Sequence, residues 1–336
     1  MSTRYQLLAI LPAAALLAAG CTAMSDVGGD EGTVTLSFAN SYPTGHPHTK
    51  CGIKAVADDI NSQNIGVKIE TFPNSQLGED TERFTSLMAG DVDMDVQGSS
   101  ALASTYPPIG VLDIAYAFDG ADHLFEFFDS AEAEQLKEDF AKKTGARILD
   151  VWFFGMRHFS ANQPIREPAD LQGQRMRFPD SPIYLENAKA LGAKATAVAF
   201  EEVYLGLQQG IIDGQENPIP TIADESFDEV QSHVSLTGHQ TGSQLIVISE
   251  ERWQQLSQEQ QQALQESVSK TRAENRECIE EQEADVIKKW RTGGGPTIVD
   301  DVDQEAFAKR VDAYFRDTLS GKQAELYKTI RQSASE

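Results

Sequence analysis

From Ser257 to Thr292 the chain carries neither glycine nor proline. A helix over about 35 residues runs roughly 50 Å at 1.5 Å per residue. Ser257 opens it as a capping box, with Gln260 three positions on, and Gly293 stops it. No single small lobe is that long. The stretch therefore predicts a helix that braces two lobes, and 336 residues are enough for two.

The region before it alternates in period. Val34, Leu36 and Phe38 alternate with Thr35 and Ser37 as a first strand. The loop Asn40 to His48 follows, then a helix to about Asn61. Val67, Ile69 and Thr71 mark a second strand. Leu77-Gly78-Glu79-Asp80 leads into a helix that Gly90 stops, and Val92, Met94 and Val96 form a third strand before Gln97-Gly98-Ser99-Ser100. This β-α-β-α-β order predicts right-handed crossovers and a parallel sheet. A long helix is expected from about Ala121 to Lys143, then a strand from Arg147 to Phe154 with Gly155-Met156-Arg157 as the turn beyond it. Arg175 to Phe178 reads as a short strand, with Pro182 at the first position of the next helix. Further on come a strand at Ala195 to Ala199, a helix from Phe200 to Gln209, and a brief strand at Ile211 and Ile212. Gly214 to Pro218 is read as a loop, and Gln244 to Ser249 as an apolar strand.

The formal charge is -24. That excludes nucleic acid as a natural partner, and an acidic lipid surface for the same reason. Arg4, the apolar run Leu7 to Ala19, and Ala18-Ala19-Gly20-Cys21 form an export leader too short to span a bilayer, resembling a lipoprotein signal with Cys21 as the lipidated residue. Residues 22–32 read as a flexible tether. Cys51 and Cys278 remain, as a disulfide or as two buried thiols.

Arg157, Arg177 and Asn217 each fall at or just past the carboxyl end of an expected strand. In open α/β sheets those ends cluster, and ligands bind there. Two guanidiniums and a carboxamide at one address make an anion site. Glu216 beside Asn217 either joins that site or anchors one of the arginines from behind.

Several motifs taken in order resemble the extracytoplasmic solute receptors of tripartite ATP-independent periplasmic (TRAP) transporters. They are Leu77-Gly78, Gly90 to Met94, Leu112 to Phe118, Gly155-Met156-Arg157, Gly173 to Pro179, Ala199 to Leu205 and Gly214 to Pro218. The resemblance covers the chain from about Thr33 onward. It implies a two-lobed α/β fold of the periplasmic-binding-protein type, with a mixed, mainly parallel sheet in each lobe and a long helix spanning both. Lobe I would hold residues 33–154 and 243–282, and lobe II residues 155–242 and 283–336. Arg177 would form a two-pronged salt bridge to a ligand carboxylate, Asn217 would hydrogen-bond it, Arg157 would contact or support it, and Phe200 would pack on the ligand. Asn40, His46, His48, Asp80, Gln97 and Ser99 are the lobe I candidates, with Trp152 and Phe154 as walls. Where the sialic-acid receptors of this family carry a glutamate this chain has about Gly98, so sialic acid is not expected. Many neutral donors plus one acid suit hydroxyls, and the expected ligand is a sugar acid such as a uronate or aldonate. A C4-dicarboxylate or 2-oxoacid is the alternative, as is service to an ATP-driven importer. The expected partners are a small organic acid anion and the membrane subunits of a TRAP transporter, with the receptor itself a monomer.

Other chemistry finds little support. His46-x-His48-x-x-Cys51 has metal-ligand residue types, but a proline turn before a helix explains it. Glu201 and Glu202 are adjacent on a helix and cannot flank one glycosidic bond. No G-x-S-x-G, Walker or dinucleotide loop occurs, so no catalytic residue and no cofactor is expected.

Overall fold

Among the described residues nine strands form a single sheet: β1 Val34–Ala39, β2 Val67–Phe72, β3 Met94–Gly98, β4 Ala146–Ala161, β5 Arg175–Phe178, β6 Lys194–Ala197, β7 Gly214–Pro218, β8 His233–Ser249 and β9 Thr297–Val299. The computed structural model describes residues 32–333. The leader, Cys21 and nearly all of the tether lie outside those residues.

The spatial order is β2-β1-β3-β8-β4-β7-β5-β6, with β9 against β8. The expected β-α-β-α-β start gives a parallel trio, β1 between β2 and β3. A second parallel trio holds β5 between β6 and β7. The expected mixed sheet is present, with one of these parallel trios toward either end. Two long antiparallel strands, β4 and β8, of 16 and 17 residues, run between them and join them.

Those two strands correct the sequence reading. The strand expected to end at Phe154 continues to Ala161. Gly155 does not end it but makes a bulge, with φ at +109° and a register shift between Phe153 and Gly155. Any Cβ there would fall 2.7 Å from Pro218, so only glycine lets β4 pass β7 so closely. β8 begins eleven residues before Gln244, at His233. Its first half is too polar to read as a strand. Gly214 to Pro218, expected as a loop, is the buried strand β7. The helix expected over 121–143 is two, Ala121–Phe128 and Ala131–Thr144, because the Ser130 hydroxyl caps the second by accepting from Ala133 N at 3.3 Å.

The long helix is Gln258–Lys289, with the expected reciprocal capping box between Ser257 and Gln260. Its 32 residues span roughly 48 Å. It is tied down along its whole length. The Gln260 amide donates to Ile65 O at 2.9 Å, the Trp152 indole donates to Val268 O at 3.2 Å, and Asn275 donates to Pro47 O at 3.1 Å. Gln282 reaches Asp224 at 2.9 Å. Cys51 and Cys278 form a disulfide, which joins the helix to the start of Lys54–Gln63 through the turn His48–Ile53.

Candidate functional site

β4, β7 and β5 are neighbours, and their registers bring the three expected polar residues together. Arg157 lies opposite Pro218, and His158 opposite Asn217. On β5, Arg177 lies opposite Gln215 of β7. Arg157, Arg177 and Asn217 line one small cleft of about 50 Å³. It opens into an outer chamber of about 450 Å³ that shares Asp80, Arg177 and Phe200 with it.

The two arginines are electrically unlike. Arg157 is already paired. Its Nε and Nη2 donate to the Glu216 carboxylate at 2.5 and 2.9 Å, and Nη2 also reaches Asn217 Oδ1 at 3.0 Å. Burial would raise the Glu216 carboxyl, but Arg157 and then His239 bring it below the usual carboxylate range. Glu216 thus stands behind the cleft and neutralises Arg157.

Arg177 is only 4% exposed, and among the described residues no carboxylate pairs with it. Its Nε donates to the Val198 carbonyl at 2.9 Å. Burial pushes its pKa down to about 10, and Arg157 adds to the fall while Glu216 opposes it. A buried cation without a counter-ion is costly unless a ligand brings one. Asn217 is preset: Arg157 holds its carbonyl, and its Nδ2 donates to Gln215 Oε1 at 2.6 Å.

The other candidates divide. Asp80, Phe154 and Phe200 line the cleft. Asp80 accepts from Arg83 at 2.8 Å and from the Ser41 hydroxyl. Asn40, His46, His48, Gln97, Ser99 and Trp152 do not line it. Asn40 holds the loop after β1, accepting from Tyr42 N at 3.1 Å and donating to Thr49 Oγ1 at 3.0 Å. Gln97 donates to Asp95 at 2.6 Å and to Asp80 O at 2.9 Å, and Ser99 donates to Asp113 at 2.5 Å. Trp152 is fully buried under the long helix, so it belongs to the core and forms no wall. His46 stacks on Tyr42 at 4.4 Å and bonds Thr221 at 3.2 Å; His48 stacks behind Phe154 at 5.4 Å. Cys51 is in the disulfide, so it is no thiolate ligand beside them.

Sequence reasoning missed Tyr42, Tyr184, Ser100 and Gln244, all of which line the cleft. Tyr42 sits in the loop at the end of strand one, where the position alone is a signal. Nothing local marks Tyr184, which is two residues into its helix. It also missed a cation near Asp80, Arg83, which is fully buried. That side chain is taken up by Asp95 at 3.0 Å and Asp80 at 2.8 Å.

Residues 38–322 match the family described as bacterial extracellular solute-binding protein, family 7. The chain is 32% identical over 242 residues to the sialic acid-binding periplasmic protein of Vibrio cholerae, covering 72% of this chain and 75% of that one. It is 31% identical over 252 residues to the 2,3-diketo-L-gulonate-binding periplasmic protein of Escherichia coli, covering 75% and 76%. Its fold is similar to the crystal structure of a TRAP periplasmic solute-binding protein of Roseobacter denitrificans with bound L-galactonate. The TM-score is 0.82 at 28% identity, over 88% of this chain and 98% of that one.

Proposed function

The chain belongs to family 7 of the bacterial extracellular solute-binding proteins, and from that premise we propose that it is the receptor of a TRAP transporter that captures a sugar acid in the cleft and delivers it to the membrane subunits. Arg177 carries the reading. Around the cleft Arg157 is balanced by Glu216, and Arg83 by Asp95 and Asp80. One guanidinium is left over, and it calls for one carboxylate. Asn217 offers that carboxylate a carboxamide whose orientation Arg157 has already set.

The Asp80 side favours hydroxyls. Ser100, Asp80 and Tyr42 line it, and Gly98, also lining it, leaves out the side chain that a larger residue would project. A second carboxylate there would face Asp80, while Arg83 is already engaged. A monoanionic uronate or aldonate fits this arrangement better than a C4-dicarboxylate. Phe154 and Phe200 supply apolar faces against which a sugar ring or chain packs.

The binding roles of Arg177, Asn217, Arg157 and Phe200 belong to this reading. So do lobes divided at 33–154 with 243–282 and 155–242 with 283–336, the lipid anchor at Cys21, and the absence of turnover. Its test is thermal unfolding of residues 22–336 against uronates, aldonates, C4-dicarboxylates, 2-oxoacids and sialic acid. Ligand at 100 times its Kd adds about 2.7 kcal/mol, which raises Tm by several degrees. Shifts confined to sugar acids are expected. A shift with succinate or malate and none with sugar acids would overturn the ligand class.

A further inference from the structure

Behind the cleft runs a chain of hydrogen bonds whose direction is fixed at its first link. The Ala115 backbone N–H, which can only donate, donates to Asn187 Oδ1 at 3.0 Å. The Asn187 Nδ2 must then be the donor end, and it donates to the Asp113 carbonyl at 2.6 Å and to Gln240 Oε1 at 3.4 Å. That makes Gln240 Oε1 the acceptor and Nε2 the donor. Gln240 Nε2 donates to Asp113 Oδ1 at 3.3 Å and to the Tyr184 hydroxyl oxygen at 2.8 Å. All four side chains in this wire are at most 4% exposed.

The end of the wire matters. Gln240 fills a lone pair of Tyr184, and none of the wire's members takes the phenolic hydrogen. Tyr184 lines the cleft beside Arg177, and its ring lies 5.5 Å from the Arg157 guanidinium carbon. The geometry points to Tyr184 as a ligand-binding donor, set by the wire of Asn187 and Gln240, that selects for an oxygen acceptor next to the carboxylate held by Arg177. Asn187, Gln240 and Asp113 are positioning residues, since they touch Tyr184 or one another and do not line the cleft. Burial holds the phenol protonated well above its usual range, in keeping with a donor. The inference rests on the sugar-acid reading and deepens it. A hydroxyl or ring oxygen on the carbon next to the carboxylate is the acceptor that aldonates and uronates supply and simple fatty acids lack.

The test is calorimetric titration with L-galactonate and D-galacturonate at one pH and salt. Tyr184→Phe keeps the ring and removes only the donor. It is expected to weaken binding about threefold to tenfold, the range for a hydrogen bond between neutral partners. Gln240→Met leaves the phenol but frees its orientation, and is expected to weaken binding severalfold. In the Tyr184→Phe background the Gln240→Met substitution should then have no further effect, a coupling that a merely structural role would not produce. Gln240→Met alone carries the test should Tyr184→Phe fail to fold. Affinity within twofold of wild type in both variants, with Arg177→Ala abolishing binding, would overturn the inference and leave the sugar-acid reading standing. Wild type binding neither acid would instead overturn the reading beneath it.

Discussion

At the scale of single residues, the cleft sets two arginines in different surroundings, Arg157 against Glu216 and Arg177 without a paired carboxylate among the described residues. Glu216 makes Arg157 a fixed part of the wall. Replacing Glu216 with glutamine strands a buried guanidinium, and the expected loss is about 3–5 kcal/mol of stability, read as a lowered urea midpoint. An unchanged midpoint would mean that Arg157 finds another partner. Asp113 gives a second prediction. Its carboxyl, 1% exposed, is raised by burial to about 6, with Ser99 and Arg157 opposing. The native state therefore holds a proton that the unfolded chain releases near 3.8. This contributes stability at low pH that is lost as the pH rises through about 4 to 6. The stability of Asp113→Asn relative to wild type should thus increase by up to about 3 kcal/mol between pH 4 and pH 7. Urea melts across that range check it, and parallel profiles for the two proteins would count against the shifted carboxyl.

At the scale of elements, what could be read in the sequence followed from period and punctuation. The parallel trio around β1 was legible because Val34 to Phe38, Val67 to Thr71 and Val92 to Val96 alternate cleanly. The long helix was legible from its missing breakers and its capping box. β7 and the first half of β8 were not, because they bury polar side chains toward the site. Gln215, Glu216 and Asn217 look like a loop until their partners across β4 and β5 are known. The same cause hid Gln240 on β8, while Tyr184 carries no local mark on its helix. Arg177 was legible because its strand is short and its turn is marked by prolines. Asn40 was expected at the ligand and does not line the cleft, since an asparagine that closes its own loop reads just like one that faces a ligand. The disulfide joins elements 227 residues apart in sequence, a distance at which pairing cannot be inferred from pattern. Replacing Cys51 and Cys278 with alanine should cost about 2–5 kcal/mol, by freeing a long loop in the unfolded chain. A Tm fall of several degrees with ligand affinity kept is expected; an unchanged Tm would show that the bond adds nothing to stability.

At the scale of the whole molecule, the charge of -24 opposes the anion proposed as the ligand. The outer chamber is lined by Glu79, Asp80, Asp180, Glu201 and Glu202, so the approach is as acidic as the surface. On the proposed reading, a sugar-acid anion crosses a repulsive field before it meets Arg177. Salt screens that field, with a Debye length of about 30 Å at 0.01 M falling to about 8 Å at 0.15 M. The association rate should therefore rise with added salt, as followed by stopped-flow fluorescence; a falling rate would mean that the arginines dominate at long range. The proposed selectivity then rests on short-range contacts: one uncompensated cation, a preset carboxamide and hydroxyl partners. Titration calorimetry of L-galactonate against wild type and Arg177→Ala tests that claim most directly. Truncating one partner of a buried charge pair costs about 2–5 kcal/mol, so the variant should bind at least about thirtyfold more weakly with its unliganded Tm maintained. Binding by Arg177→Ala within a few-fold of wild type would contradict the account.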